Sequence, residues 1–336
     1  MKRTIAIVAG GDSSEHDVSL RSAEGILSFM DSEKYDCHVV EIKGNSWKVA
    51  YKGELHPIDR NDFSFTTSDG RRHEFDFAYI TIHGTPGENG ILQGYFDLIG
   101  IPYSTSDVLV EALTFNKFAL NNFLRAYPEL HLSDSVLVRK GQPIPADDEL
   151  VARLGLPCFV KPNAGGSSFG VTKVKKADAL RAAIEKAMIE SDEVMVERMM
   201  SGTEITCGCY RRPDGEILTF PITEVVTTQE FFDYDAKYNG KVTEITPARL
   251  SEETTARVKE ITSRIYDILH CNGIIRIDYI ISRGVGSNGE EVDKVNMIEI
   301  NTTPGMTATS FIPQQVKAAG LNMTDVLTDI VENQFR

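Results

Sequence analysis

Residues 4–11, TIAIVAGG, are a short β-branched run that ends on two glycines. An apolar series at helical spacing follows it: Val18, Ser22, Ala23, Ile26, Leu27 and Met30. The alternation continues with strand-like runs at 37–42 (CHVVEI) and 77–84 (FAYITIHG). A second helix, marked by Ile91, Leu92, Tyr95, Phe96 and Ile99, stops at Gly100. Strands alternating with helices predict an α/β fold whose parallel sheet is covered on both faces. Ligands of such sheets sit beyond the carboxyl ends of the strands, which puts the loops 10–15 and 83–90 at the ligand edge. Ser14 followed by Asp17 predicts a capping box at the start of the first helix.

The middle third opens with one long helical stretch, Val108 to Arg125. Strands at 135–140, 158–162 and 194–200, a short strand VTKV (171–174), and helices at 147–155 and 177–190 predict an antiparallel sheet with helices on one face. The last third has strands at 204–211 and 216–226, a polar-aromatic loop at 227–241, and a helix marked by Val258, Ile261, Ile265, Ile268 and Leu269. Strands at 273–282 and 294–302 and helices around 307–319 and 324–333 complete it. No internal repeat or low-complexity segment is present.

A length of 336 residues corresponds to two domains, or three small ones. With 41% apolar and 25% charged residues the chain is neither disordered nor fibrous. Its net charge of −14 argues against a nucleic-acid or anionic-membrane partner, though a local basic site can still hold a nucleotide. No apolar run approaches a membrane span, and Ile5–Ala9 is too short for a signal peptide. Five cysteines give no even disulfide framework. Cys207 and Cys209, on a strand, read as reduced thiols rather than a metal site. The expected location is the cytoplasm.

Two strands carry the chemistry. Arg276 and Asp278 share one face of the first, and Glu299 and Asn301 share one face of the second, because strand side chains alternate. If the strands are neighbours, three oxygen-bearing side chains and a guanidinium form a hard-cation site beside an anion donor. The alternative is a solvated sheet face with a surface ion pair. After Asn301 the chain reads TTPGMTATS, a turn and a helix start, where free N–H groups attract carboxylate or phosphate.

Lys161 ends a strand and precedes Asn163-Ala-Gly-Gly-Ser-Ser-Phe-Gly170. This is not a P-loop, since the lysine comes first and both flanks read as strand. It suits a hairpin lid closing over a triphosphate, or a plain surface hairpin. Gly284-Val-Gly286-Ser-Asn-Gly289 matches a dinucleotide fingerprint only in letters. It lies between two strands and predicts a hairpin turn. His83-Gly-Thr-Pro-Gly-Glu-Asn-Gly90 fits either a functional loop or ordinary loop chemistry. Glu15 on its own fits a helix-dipole partner. Tyr234 and Tyr238 fit either loop anchors or substrate contacts.

Taken in order, GGDSSEHDVSL (10–20), HGTPGENGILQG (83–94), KPNAGGSSFGV (161–171), FFDYDAKY (231–238), GIIRIDY (273–279) and EINTTPGMTATS (299–310) resemble the D-alanine–D-alanine ligase family of ATP-grasp enzymes. The likeness spans nearly the whole chain. It implies an ATP-grasp fold of three α/β domains, an N-terminal parallel-sheet domain and two domains clasping ATP. The expected divisions are 1–116 (substrate), 117–200 (with the glycine-rich lid) and 201–336 (metal and oxyanion site). The implied reaction runs through an acyl phosphate made from the first D-alanine and ATP, which the amine of a second D-alanine attacks. ADP and phosphate are released, and the dipeptide serves peptidoglycan synthesis.

The resemblance also implies roles. Asp278, Glu299 and Asn301 hold two Mg²⁺ ions, with Mn²⁺ as an alternative. Lys117, Lys161 and Ser168 contact ATP phosphates; Glu197, Arg198, Met199 and Met200 meet the adenine, and Glu204 the ribose. Arg276 and the Gly305 N–H form the oxyanion hole. Glu15 pairs with the first D-alanine, and Ser310 binds the second, with His83 nearby. Ser167 and Tyr238 link to Glu15 as the loop closes, and Lys237 reaches the transferring phosphate. Tyr238 implies peptide rather than ester formation. Departures from the family pattern fall at Phe169, Met199 and Asn89, none of them an expected metal ligand. A homodimer through the N-terminal domain is expected.

Overall fold

The computed structural model describes residues 2–166, 170–227, 242–285 and 289–336. Three sheets organise them. In the first, β1 (Arg3–Gly10), α1 (His16–Phe29) and β2 (Tyr35–Lys43) lead into a meander of β3 (Ser46–Tyr51), β4 (Glu54–Asp59), β5 (Ser64–Thr66) and β6 (Arg72–His73), and then into β7 (Phe77–Ile80). The order is β6-β5-β4-β3-β2-β1-β7. β2, β1 and β7 are parallel, as the alternation of strands and helices predicts. Residues 46–73 extend this parallel part with antiparallel strands that the pattern did not reveal. Those strands are short and bury few residues each, so no long apolar alternation marks them: β3 buries Val49, and β4 buries His56 and Ile58.

α2 (Ile91–Ile99) ends, as expected, at Gly100, whose φ of 74° suits glycine. The helix expected over 108–125 is two: α3 (Val108–Phe115) and α4 (Lys117–Leu124). Asn116 breaks it. Its side chain accepts from the Ala119 N–H, and from Asn163 Nδ2 at 2.9 Å, so the asparagine caps a new helix instead of continuing the old one. β8 (His131–Leu132) then joins the third sheet.

The second sheet holds β9 (Ser135–Arg139), α5 (Asp147–Leu154), β10 (Cys158–Pro162), β11 (Thr172–Val174), α6 (Leu180–Ala187) and β12 (Glu193–Arg198). Its order, β11-β10-β12-β9, is antiparallel throughout. Leu150, Leu154, Leu180 and Ile184 of the two helices bury against Val138, Val160 and Val196 of the strands.

The third sheet contains β13 (Thr203–Arg211), β14 (Ile217–Thr219), β15 (Thr223–Thr227), β16 (Val242–Ile245), β17 (Ile275–Val285) and β18 (Glu291–Asn301). α7 (Glu252–Ile268), α8 (Phe311–Ala318) and α9 (Met323–Asn333) accompany it. Its order is β16-β15-β13-β17-β18-β8, with β14 on β13. The run at 216–226 is thus two strands. Val285 pairs with Glu291, so the glycine-rich 284–289 segment joins two antiparallel strands, as its position between them predicts. Cys207 and Cys209 are free thiols in this core.

The capping box expected at Ser14 and Asp17 does not form. Glu15 occupies the cap position of α1 without a side-chain cap bond, and its N–H donates to Ser13 Oγ. The first and third sheets are locked together nearby. A Cβ on Gly25 of α1 would lie 2.2 Å from the Met306 carbonyl oxygen, and the Met306 N–H donates to Ser22 Oγ. Among the described residues no helix is long and apolar enough to cross a membrane.

Candidate active site

β17 and β18 are neighbours, with Arg276 opposite Asn301 and Asp278 opposite Glu299. Ile275, Ile277 and Tyr279 fill the core, so alternation turns Arg276 and Asp278 to the other face. Arg276 grips Asp278 with two bonds, Nε to Oδ1 at 2.9 Å and Nη2 to Oδ2 at 2.8 Å. Thr206 Oγ1 donates to the same carboxylate at 2.6 Å and Asn301 Nδ2 at 3.2 Å. The guanidinium lies 5.2 Å above the Phe311 ring. Burial alone would lower its pKa, but Asp278, with the charges of Glu299 and Glu88, more than offsets this and holds Arg276 charged.

The cations come from the opposite wall. Lys117, at the head of α4, lies 3.7 Å from Glu299 Oε2 and donates to the Gly165 carbonyl at 2.8 Å. It therefore joins the carboxylate face to the glycine-rich loop. That placement follows from the break at Asn116, where the Lys117 N–H donates to the Asn163 carbonyl. Lys161 Nζ donates to Glu197 Oε2 at 2.7 Å between neighbouring strands. Arg198 donates to the Arg153 carbonyl, and with Met199 and Met200 it lines the cleft.

At the far end the loop reaches the first sheet. A Cβ on Gly166 would lie 2.3 Å from Glu15 Oε2, so the loop backbone rests on that carboxylate. His83 is buried beside Ser22 Oγ, at 3.2 Å from Nε2. Burial lowers its pKa further than the Glu15 charge raises it, which favours the neutral ring. Glu88, within the 83–90 loop but not singled out by the sequence, accepts from the Gly84 N–H at 2.7 Å. Burial and the charge of Glu15 push its pKa up to about 7. Ser310 sits at the N-cap of α8, its hydroxyl 2.8 Å from Thr307 Oγ1 and accepting from the Thr307 N–H. The helix expected from 307 thus begins at 311.

A cleft of about 920 Å³ collects these groups. Glu15, His83, Lys117, Lys161, Glu197–Met200, Glu204, Arg276, Asp278, Glu299, Asn301, Gly305 and Ser310 all line it. Ser167, Ser168, Phe169, Tyr234, Lys237 and Tyr238 lie outside the described residues. Sequence reasoning missed Glu88, Glu111 behind the cleft and the pairing of Glu197 with Lys161. A burial signal separates none of these from surface carboxylates in a sequence.

Residues 4–106 match the family model for the D-Ala–D-Ala ligase N-terminus, and residues 130–332 match that for its C-terminus. The chain belongs to the D-alanine–D-alanine ligase family. It is 63% identical to a D-alanine–D-alanine ligase of Phocaeicola vulgatus and 60% identical to one of Bacteroides fragilis, each over the full length of both chains. Among solved structures, the VanG D-Ala:D-Ser ligase of Enterococcus faecalis superposes with a TM-score of 0.84 at 30% identity, covering 99% of this chain and 100% of that one. A Bacillus anthracis D-alanine–D-alanine ligase complexed with ATP gives 0.77 at 27% identity, covering 99% and 98%. These neighbours carry the ATP-grasp fold of ATP-dependent ligases, so the ATP-grasp expectation holds for this family member.

Asp278, Glu299 and Asn301 offer two carboxylates and an amide, a hard-oxygen set that fits Mg²⁺ or Mn²⁺. Among the described residues no cluster of three or more His, Cys, Asp or Glu side chains forms a metal cage. Two carboxylates leave coordination positions for phosphate oxygens, the usual arrangement where Mg²⁺ accompanies a nucleotide.

Proposed function

We propose that this chain joins two D-alanine molecules into D-alanyl-D-alanine with ATP, supplying a peptidoglycan precursor in the cytoplasm. The carboxylate of the first D-alanine takes the γ-phosphoryl group, giving an acyl phosphate and ADP. The amine of the second attacks the acyl carbon, and phosphate leaves with the C–O bonding pair. The observation that carries this reading is a cleft in which two carboxylates and an amide face two lysines and a glycine-rich loop.

Asp278, Glu299 and Asn301 would hold two Mg²⁺ ions, which neutralise phosphate charge when bound. Lys117 and Lys161 place positive charge where the phosphates lie. Glu197–Met200 and Glu204 form the nucleoside wall. Arg276, charged at all working pH values, and the Gly305 N–H donate to the oxygen that gains charge at the acyl carbon. Glu15 orients the ammonium of the first D-alanine and Ser310 the carboxylate of the second, with the His83 ring packed beside them. Ser167, Ser168, Lys237 and Tyr238 complete this assignment by resemblance, closing the loop over the reactants, and Tyr238 favours an amine over a hydroxyl acceptor.

Three units, 1–116, 117–200 and 201–336, carry these walls, the middle one also lending β8 to the third sheet. A homodimer fits the exposed apolar residues Ile91, Leu98, Val108 and Leu109 of α2 and α3. The deciding experiment incubates the protein with ATP, Mg²⁺ and D-alanine, and then with D-serine added. D-alanyl-D-alanine with one ADP and one phosphate per dipeptide is expected. Turnover that requires D-serine would move the reading toward the VanG-like activity.

A further inference from the structure

Glu111 takes no part in the chemistry above, yet its side chain is placed with care. It lies on α3 and is fully buried, at 0% exposure. A carboxyl is costly to bury, so its partners are informative. Oε1 accepts from the Ser106 N–H at 3.0 Å, and Oε2 accepts from Thr302 Oγ1 at 2.5 Å. Burial, with the charges of Glu88 and Asp107 adding to it, pushes the pKa well above the usual carboxylate range.

The position of Thr302 gives these bonds their meaning. The β17–β18 ladder ends at the pair Arg276–Asn301. Asn301 is therefore the last residue whose backbone the sheet holds, and the next two are anchored by side chains. Thr302 is bound to Glu111, and Thr303 Oγ1 donates to the Ile82 carbonyl at 3.2 Å. Ser106 carries the tie onward: its hydroxyl accepts from the Asn272 N–H at 3.0 Å, just ahead of β17. Asn272 Nδ2 also donates to the Thr105 carbonyl at 3.2 Å. The Thr105 hydroxyl accepts from Gln93 Nε2, which donates as well to the Gly87 carbonyl in the 83–90 loop. One buried carboxyl is thus bonded to the exit of β18 and to Ser106, whose own hydroxyl reaches the approach to β17.

We infer that Glu111 is a positioning residue for the metal face: by holding Thr302 against Ser106 it sets where Asn301 stands relative to Asp278. It touches neither substrate nor metal, and the inference rests on the metal assignment proposed above. A glutamine of the same shape supplies an acceptor for the Ser106 N–H and a donor for the Thr302 hydroxyl. An alanine supplies neither.

The test uses the full chain, four single variants (Glu111→Ala, Glu111→Gln, Thr302→Val and Glu299→Gln) and one double variant. ADP release is measured against Mg²⁺ concentration at saturating D-alanine, and thermal melting is recorded alongside. Glu111→Ala and Thr302→Val should each raise the half-saturating Mg²⁺ roughly tenfold, with the KM for D-alanine within about twofold, as for loss of an outer-shell partner. Glu111→Gln should restore the Mg²⁺ response. The double variant Glu111→Ala/Thr302→Val should shift no further than the worse single, because both remove one interaction. An unchanged Mg²⁺ response in folded Glu111→Ala overturns the inference, however much its melting temperature falls. If that variant does not fold, Thr302→Val, close in shape to the native residue, decides in the same way. If Glu299→Gln leaves the Mg²⁺ response unaltered, the metal assignment itself fails. If Glu299→Gln abolishes it while Glu111→Ala and Thr302→Val do not, only the role of Glu111 is lost.

Discussion

Lys161 Nζ donates to Glu197 Oε2 at 2.7 Å, and the two side chains are only 10% and 6% exposed. They sit on neighbouring antiparallel strands, with Phe159 directly opposite Glu197 and Lys161 on the diagonal. The carboxylate thereby fixes the lysine head inside the cleft rather than leaving it to range through solvent.

Removing one member of that pair strands the other. Lys161→Met should lower stability by about 3 kcal/mol and raise the KM for ATP about tenfold or more. Lys161→Met/Glu197→Met should recover most of the stability but not the ATP affinity. Denaturant unfolding and ATP-dependent kinetics on both variants check this. Recovery of nucleotide affinity in the double variant would show that Lys161 is structural.

Glu299→Gln removes one carboxylate and leaves the fold untouched. ADP release should fall by at least about 100-fold, since loss of a direct ligand costs no less than loss of a group that merely orients one. Circular dichroism and melting should match the parent. Near-normal turnover at ordinary Mg²⁺ removes the assignment of Glu299 as a ligand.

Glu88 makes stability depend on pH. Its folded pKa is raised to about 7 from 4.5, so the folded chain binds this proton more tightly than the unfolded one. The contribution is fully present below about 4.5 and is lost as pH rises through about 7. Glu88→Gln abolishes it. Relative to the parent, that variant should gain at most about 3 kcal/mol between pH 5 and pH 8. Urea unfolding of both chains at the two pH values measures the difference, and a constant offset contradicts the burial account.

Gly166 rests on Glu15. A methyl group there would have to displace the carboxylate, since its Cβ would fall 2.3 Å from Oε2. The displaced atom is the end of a flexible side chain, so Gly166→Ala should fold normally. Substrate binding should suffer instead, with the KM for D-alanine rising about tenfold. Unaltered D-alanine saturation would separate Glu15 from substrate recognition.

Tyr238 addresses acceptor choice. Tyr238→Phe should raise the ratio of D-alanyl-D-lactate to D-alanyl-D-alanine when D-lactate and D-alanine compete. Product analysis by mass spectrometry reads the ratio directly, and an unchanged ratio refutes the specificity assignment.

The most local features were the most legible. Arg276, Asp278, Glu299 and Asn301 could be placed on shared faces because strand alternation is a property of consecutive residues, and the β17–β18 register agrees. The strand at 158–162, the helix ending at Gly100 and the two strands flanking the 284–289 segment followed from equally local signals. The capping box at Ser14 failed because Ser13, held by the His83 carbonyl, accepts the Glu15 N–H in its place. The helix over 108–125 failed because Asn163, far along the chain, bonds Asn116 at its middle.

The strand and helix periods, the oxygen-rich faces and the glycine-rich loop are legible in the chain, because each is written in residues a few positions apart. Folding alone places Lys117 between Glu299 and Gly165, sets Glu197 on Lys161, buries Glu111 and half-buries Glu88. Burial and pairing arise from segments that meet across long stretches of chain. The residue that supplies a carboxylate's partner, or removes its water, leaves no mark beside it in the sequence.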